Sequence, residues 1–255
     1  MIAFDTRGVR SRFQGLRCFA LRCFAIAIFV SGLSAHVALG QGGPKSKKPS
    51  VTLFPGDYLR GDYLEKLRRT RSPKRSEVDD APQLIIVQRG TTGITLSLIY
   101  YFHEGEDTLA MGQDGSLQAE LYGGQKITGN VIDAHHFRLI DATKPPQIYT
   151  FVGDAERYAA SVALVGRYAD DRGRTYIFGR DGWATFPDQK FRFIIGIDHV
   201  LTPYDYFWVP PAPTKKEYAF KWVAGKLQIF VIHGKFPDDV LEKQPFAVLH
   251  AVSPQ

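Results

Sequence analysis

Cysteine is nearly absent from this 255-residue chain. Cys18 and Cys23 are the only two, and both fall in the first forty residues, each preceded by an arginine rather than the small residue a lipoprotein processing site needs. The remainder therefore offers no disulfide, no thiol nucleophile and no zinc-thiolate site. Long apolar runs are missing too. The longest, Phe24 to Leu33, is about half of the roughly 20 residues that a membrane-crossing helix requires. There is no His-Glu-x-x-His, no Gly-x-Ser-x-Gly, no phosphate-cradling glycine loop and no dinucleotide fingerprint, so no reaction is named and neither a cofactor nor a metal is called for. Positive charge is missing where a nucleic-acid reader would need it. The formal net charge is +6, but residues 1–40 hold five Arg against one Asp (+4) and residues 41–80 hold ten Lys plus Arg against six acids (+4). From residue 81 onward, 17 basic face 19 acidic residues (−2), and this excludes nucleic acid as the expected partner.

The N-terminus carries Arg7, Arg10, Arg12, Arg17 and Arg22, then the apolar run, then small residues ending Ala38-Leu39-Gly40. That order is a secretory signal, with cleavage expected after Gly40 and export to the periplasm or beyond, leaving no transmembrane anchor after processing. Residues 41–80 read as a basic linker, Gly42 to Pro49 having no apolar side chain to bury, followed by one short amphipathic helix. Leu59, Tyr63, Leu64 and Leu67 supply its apolar stripe, Asp62 its cap, Arg68 and Arg69 its last turn, and Pro73 its stop.

From Pro82 the hydrophobic period changes to two. Strands are predicted at Leu84–Gln88, Ile94–Phe102, Thr108–Gly112, Leu117–Tyr122, Lys126–Ile132, Phe137–Ile140 and Ile148–Val152, and after Val165 at Thr175–Gly179, Trp183–Phe186, Phe191–Ile197, Tyr206–Val209, Tyr218–Val223, Leu227–His233 and Phe246–Val252. The chain uses one pattern twice. Tyr101, Thr108, Gly112, Asp114 and Gly115 recur 67 residues later as Tyr168, Thr175, Gly179, Asp181 and Gly182, and Tyr149-x-Phe151 recurs as Tyr218-x-Phe220. The fold class is all-β, an antiparallel barrel or a pair of half-barrels made by internal duplication, with residues 81–164 and 165–255 as the two repeats and one short N-terminal helix before them.

At Gly166-Arg167-Tyr168 the strand opening the second repeat resembles the Gly-x-Trp strand with which lipocalin-like (calycin) barrels begin, with tyrosine in place of tryptophan. The resemblance implies meandering hairpins around a ligand cavity and, for this chain, a small, largely apolar ligand.

Chemistry-bearing residues are densest at His103, Glu104, Glu106 and Asp107. The corresponding loop of the second repeat, Asp170 to Gly173, keeps the acidity without the histidine, as a hydrated hairpin loop would. His135 and His136 are adjacent and cannot chelate one ion from a strand. His199 follows Asp198 at a strand end and is read as pairing with it or with water. Arg180 and Arg192 are expected to face solvent, since an inward guanidinium would need a partner. The candidate ligand-binding residues are Tyr101, His103, Glu104, Tyr168, Asp171, Arg180 and Trp222, on the walls and rim of the barrel. Three functions follow: an exported barrel binding a small apolar ligand, a structural or interaction module with an envelope-protein partner, and a hydrolase-like enzyme centred on His103.

Overall fold

Successive residues of one strand enter two different cores. In β1 (Gly56–Arg60), Tyr58 points into one apolar cluster and Leu59 into the other, and in β2 (Leu84–Gly90) Leu84 and Ile85 divide in the same way. A pleated strand sends alternate side chains to opposite faces, so these two strands are buried on both sides. The structure, a computed structural model, describes residues 52–78, 82–91, 93–100, 102, 104–112, 114–120, 126–141, 143–199, 202–210, 216–234 and 240–252, without the side chains of 104–108. All belong to one unit, Lys47–Gln255. The predicted signal and the start of the linker lie outside them.

The first sheet adds β3 (Gly93–Tyr100), β4 (Glu104–Ala110), β5 (Ser116–Glu120), β6 (Lys126–Asp133), β7 (His136–Asp141) and β8 (Gln147–Gly153). Its eight strands run antiparallel in the order β4-β3-β2-β1-β8-β7-β6-β5, with β1 against β8 and the end strands β4 and β5 joined by the turn at Gly112–Ser116. The second sheet holds β9 (Gly166–Ala169), β10 (Thr175–Phe178), β11 (Trp183–Phe186), β12 (Gln189–Arg192), β13 (Ile194–Ile195), β14 (Asp205–Val209), β15 (Lys216–Val223), β16 (Lys226–His233) and β18 (Ala247–Ala251), with β17 (Val240–Leu241) beside β16. Its order is β12-β11-β10-β9-β18-β16-β15-β14-β13, and only Phe193 separates the end strands β12 and β13. Both sheets are nearly closed antiparallel barrels.

The repeat is visible in this order once strand ends are ignored. With β3 laid on β9, the strands β4, β5, β7 and β8 fall on β10, β11, β14 and β15, and β12 with β13 takes the place of β6. The last two places are filled by β1 and β2 in the first barrel and by β16 and β18 in the second. One pair precedes its repeat in the chain and the other follows it, so the barrels are circular permutations of each other. The facing pair Phe137 and Tyr149 in the first has its counterpart in Phe207 and Tyr218 in the second, and all four are buried.

Between the sheets lie α1 (Gly61–Thr70), the single turn α2 (Pro73–Ser76) and α3 (Ala155–Ala163). Tyr63, Leu64 and Leu67 are buried as predicted, but Leu59 belongs to β1, the N-cap is Arg60, and Asp62 sits in the first turn holding Arg60 in a two-bond ion pair at 2.7 Å. Two elements differ from the sequence reading. β1 seals the first barrel from a segment read as linker and helix, and the stretch after Tyr149-x-Phe151 is α3, capped by Asp154, with Ala155, Ala159 and Ala163 as its buried stripe. Small residues at i and i+4 let that helix lie close against the sheets. α1 and α3 touch each other and also β1 and β8, and α3 reaches β13. Among the described residues no helix is long and apolar enough to cross a membrane.

Side chains occupy the second barrel. Phe178 meets Phe186, Phe193 and Phe207 edge-on at ring separations of 5.7, 5.2 and 5.6 Å, and Tyr218 stacks on Phe207 at 5.1 Å. Such offset and edge contacts fill the interior of a small barrel efficiently.

Candidate functional site

A cleft of about 310 Å³ opens on the outside of the second barrel, between the first turns of α3 and the repeated turn at Gly179–Gly182. The turn is closed by hydrogen bonds from Gly179 N–H to Trp183 O (2.8 Å) and from Gly182 N–H to Gly179 O (3.2 Å), while Asp181 Oδ1 accepts from Trp183 N–H (3.1 Å). Gly182 sits at φ +80°, where a side chain is strained. Opposite, Asp154 Oδ1 caps α3 by accepting from Arg157 N–H at 2.8 Å. The floor is apolar, from Ala160, Val165 and Ile194, and the walls carry three guanidinium groups, on Arg157, Arg180 and Arg192, beside the carboxylates of Asp154, Glu156 and Asp181. Arg180 and Arg192 are exposed, as expected. Arg180 makes no hydrogen bond or ion pair among the described residues, and Arg192 lies over the Trp183 ring at 5.7 Å.

Of the sequence-predicted site residues that are described, the structure brings Tyr168 and Trp222 together. Tyr101 and His103 lie outside the described residues, as does the side chain of Glu104, whose backbone pairs with Tyr100. Tyr168 is buried, donates to Leu164 O at 2.8 Å and packs its ring 6.1 Å from Trp222. Trp222 in turn donates to Ala163 O. Gly166 makes this possible, because a Cβ there would stand 2.8 Å from the Tyr168 hydroxyl. Asp171 is exposed, 3.9 Å from His250. Of the four whose side chains are described, Arg180 alone borders the cleft.

The second acidic loop is not uniformly hydrated. Asp170 is 8% exposed and ties the loop from inside, accepting from Arg172 N–H (3.0 Å), Arg174 N–H (2.9 Å) and Arg174 Nε (2.7 Å). Desolvation opposes its ionisation, but these bonds outweigh it and hold its carboxyl below the usual range.

The sequence reading missed a buried polar group where α2 meets the second barrel. His199 is fully buried: its Nδ1 lies 3.1 Å from Ile197 O and 3.5 Å from Glu77 Oε1, and its Nε2, without a hydrogen-bond partner among the described residues, lies 3.7 Å from Asp205 Oδ1, so the carboxylates beside it are Glu77 and Asp205. Lys74 ties the group to α2 through Glu77 Oε2 (3.0 Å), His199 O (2.8 Å) and its own N–H to Asp205 (2.7 Å). Burial pushes the Asp205 carboxyl up; it would raise Glu77 also, but contacts from His199 and Lys74 bring Glu77 below its ordinary value. The two imidazole nitrogens face opposite carboxylates and cannot direct both onto one ion. No group of three His, Cys, Asp or Glu among the described residues is arranged to hold a metal. Lys and Glu at 74 and 77 were visible in sequence, but nothing local linked them to residues 199 and 205.

Comparison with protein-family profiles, curated proteins and solved structures returns no match. The two nearly closed antiparallel sheets are compatible with a calycin-like fold.

Proposed function

We propose that this protein is an exported, non-enzymatic binding protein whose ligand sits in the outer cleft between α3 and the Gly179–Gly182 turn, not inside a barrel. The observation that carries this is the contrast between two spaces. The second barrel is threaded by touching aromatic rings, whereas the cleft outside it combines an apolar floor with Arg180, a guanidinium without a partner among the described residues. A space of about 310 Å³ with a few converging polar groups suits a small molecule. The wall and rim are thus exchanged for an external site, and the ligand for a more polar one than the calycin resemblance implies.

Amide chemical-shift mapping of the ¹⁵N-labelled protein tests the location, with polar metabolites and a fatty acid as probes. Perturbations at Ala160, Gly179, Gly182 and Ile194 are expected. Perturbations confined to Tyr176, Phe207 and Tyr218 would place the ligand inside the barrel and overturn this reading. Export is tested by mass spectrometry of the protein recovered outside the cytoplasm: a chain beginning after Gly40 is expected, and an intact Met1–Gly40 refutes it.

A further inference from the structure

The same turn is built twice, and what surrounds it differs. In the first barrel Gly112 N–H bonds Ser116 O (2.9 Å), Gly115 N–H bonds Gly112 O (3.0 Å) and Asp114 Oδ1 accepts from Ser116 N–H (3.0 Å), the same three bonds that Gly179, Gly182, Asp181 and Trp183 make. The strand beyond is also matched, with Val131 N–H on Gly115 O and Phe193 N–H on Gly182 O. At two positions the copies diverge in charge. Between the glycine and the aspartate stands Gln113 in the first and Arg180 in the second. Across the strand from Ser116 stands Asn130, and across from Trp183 stands Arg192. A turn that closes with Gln and Asn does not need arginine to close, so the fold leaves Arg180 and Arg192 unexplained.

Both border the cleft beside three carboxylates, each of which has a contact elsewhere. Asp154 caps α3, Asp181 is bonded within the turn, and Glu156 has an interaction of its own. Each guanidinium carries five N–H donors and no acceptor, and among the described residues no ion pair ties Arg180 or Arg192 to those carboxylates. We propose that it takes a small anion bearing a carboxylate or phosphate group, held between Arg180 and Arg192. The planar fork of a guanidinium matches the paired oxygens of either group. Ala160 and Ile194 receive the apolar part of the molecule. This inference rests on the cleft reading above.

The test titrates the full ¹⁵N-labelled chain with succinate and citrate in one arm, and with inorganic phosphate and pyrophosphate in another. Glucose and choline serve as neutral and cationic controls. A second protein carries Arg180→Gln and Arg192→Asn, which gives the second turn the first turn's residues at exposed positions and should leave the melting temperature unchanged. Anions of one arm should shift the cleft amides, glucose and choline should not, and the double variant should bind at least about tenfold more weakly. The arm that responds identifies the anionic group, and binding should weaken as salt is raised. Equal anion affinity in both proteins would overturn the proposal. A neutral compound filling the cleft equally in both would overturn the anion while leaving the cleft as the site. No cleft shift with any probe would overturn both.

Discussion

Arg71 lies with its guanidinium carbon 3.5 Å from the centre of the Trp222 ring. The same side chain donates to Val162 O at 3.2 Å and to the Tyr168 hydroxyl at 3.3 Å. It reaches them because α1 ends on Arg71 in the left-handed region, φ 53°, with its N–H returned to Leu67 O. Two residues read as cavity wall are thus bound into a knot by the connector between α1 and α2. Their aromatic character fastens the helical layer to the second barrel.

Replacing Arg71 by Ala removes the ring contact and both hydrogen bonds and should destabilise the fold by about 1 to 2 kcal/mol. Arg71→Lys should recover less than half of that, because an ammonium keeps the charge but not the planar stack. Guanidinium unfolding followed by tryptophan emission measures both. A loss below about 0.5 kcal/mol for the alanine variant would show that the knot contributes nothing to stability.

Leu67 has no exposed surface and sits in the core shared by α1, α3 and the second barrel. Leu67→Ala should therefore cost about 2 to 3 kcal/mol in a denaturant melt. A helix of three turns is marginal on its own, so its amide protons should lose exchange protection in the variant before those of the barrels do.

Tyr58 donates to Phe54 O (3.0 Å) and Ala134 O (2.9 Å), and burial pushes its phenol up to about 12. Burial likewise raises Tyr63 and Tyr149. Each folded value lies above the ordinary one, so the stabilising contribution is complete below about pH 10 and is lost as pH rises through the folded value. Absorbance titration near pH 11 should find these three phenols still protonated in the folded protein and ionised in guanidinium. Full ionisation of every tyrosine at pH 11 without unfolding would contradict the burial.

The strands were legible because alternation is a local signal: Trp183–Phe186 coincides with β11, and Phe137–Ile140 lies inside β7. The repeat was legible because its turn depends on glycine and aspartate at fixed offsets. β1 was hidden because Leu59 also fits a helical stripe with Tyr63, and only its pairing with β2 and β8 decides for strand. α3 announced itself by Asp154 and by alanines four apart, a signal weakened by the lack of large apolar residues. The cleft depends on Arg157, Arg180 and Arg192 meeting across more than thirty residues, and the His199 group joins residues over a hundred apart. Neither separation leaves a trace in local pattern.

Gly115 and Gly182 provide the hardest test of the duplication. They stand at φ +78° and +80° in turns that share the same three bonds from backbone N–H groups, one at the seam between β4 and β5 and one between β10 and β11. Space is not the constraint at Gly182, where an added Cβ would meet Phe193 O at an ordinary 3.8 Å. The cost of alanine there is backbone strain alone, about 1 to 2 kcal/mol. Because the conformation is the same in both turns, Gly115→Ala and Gly182→Ala should lower stability by equal amounts within about 0.5 kcal/mol, and the double variant by their sum, since the turns lie in different sheets and share no partner. Asn, which tolerates the left-handed region, should recover part of the loss at either position. Thermal and guanidinium unfolding of the three variants measure this directly. A large loss at one turn with none at the other would mean that the two turns share a shape without sharing a role.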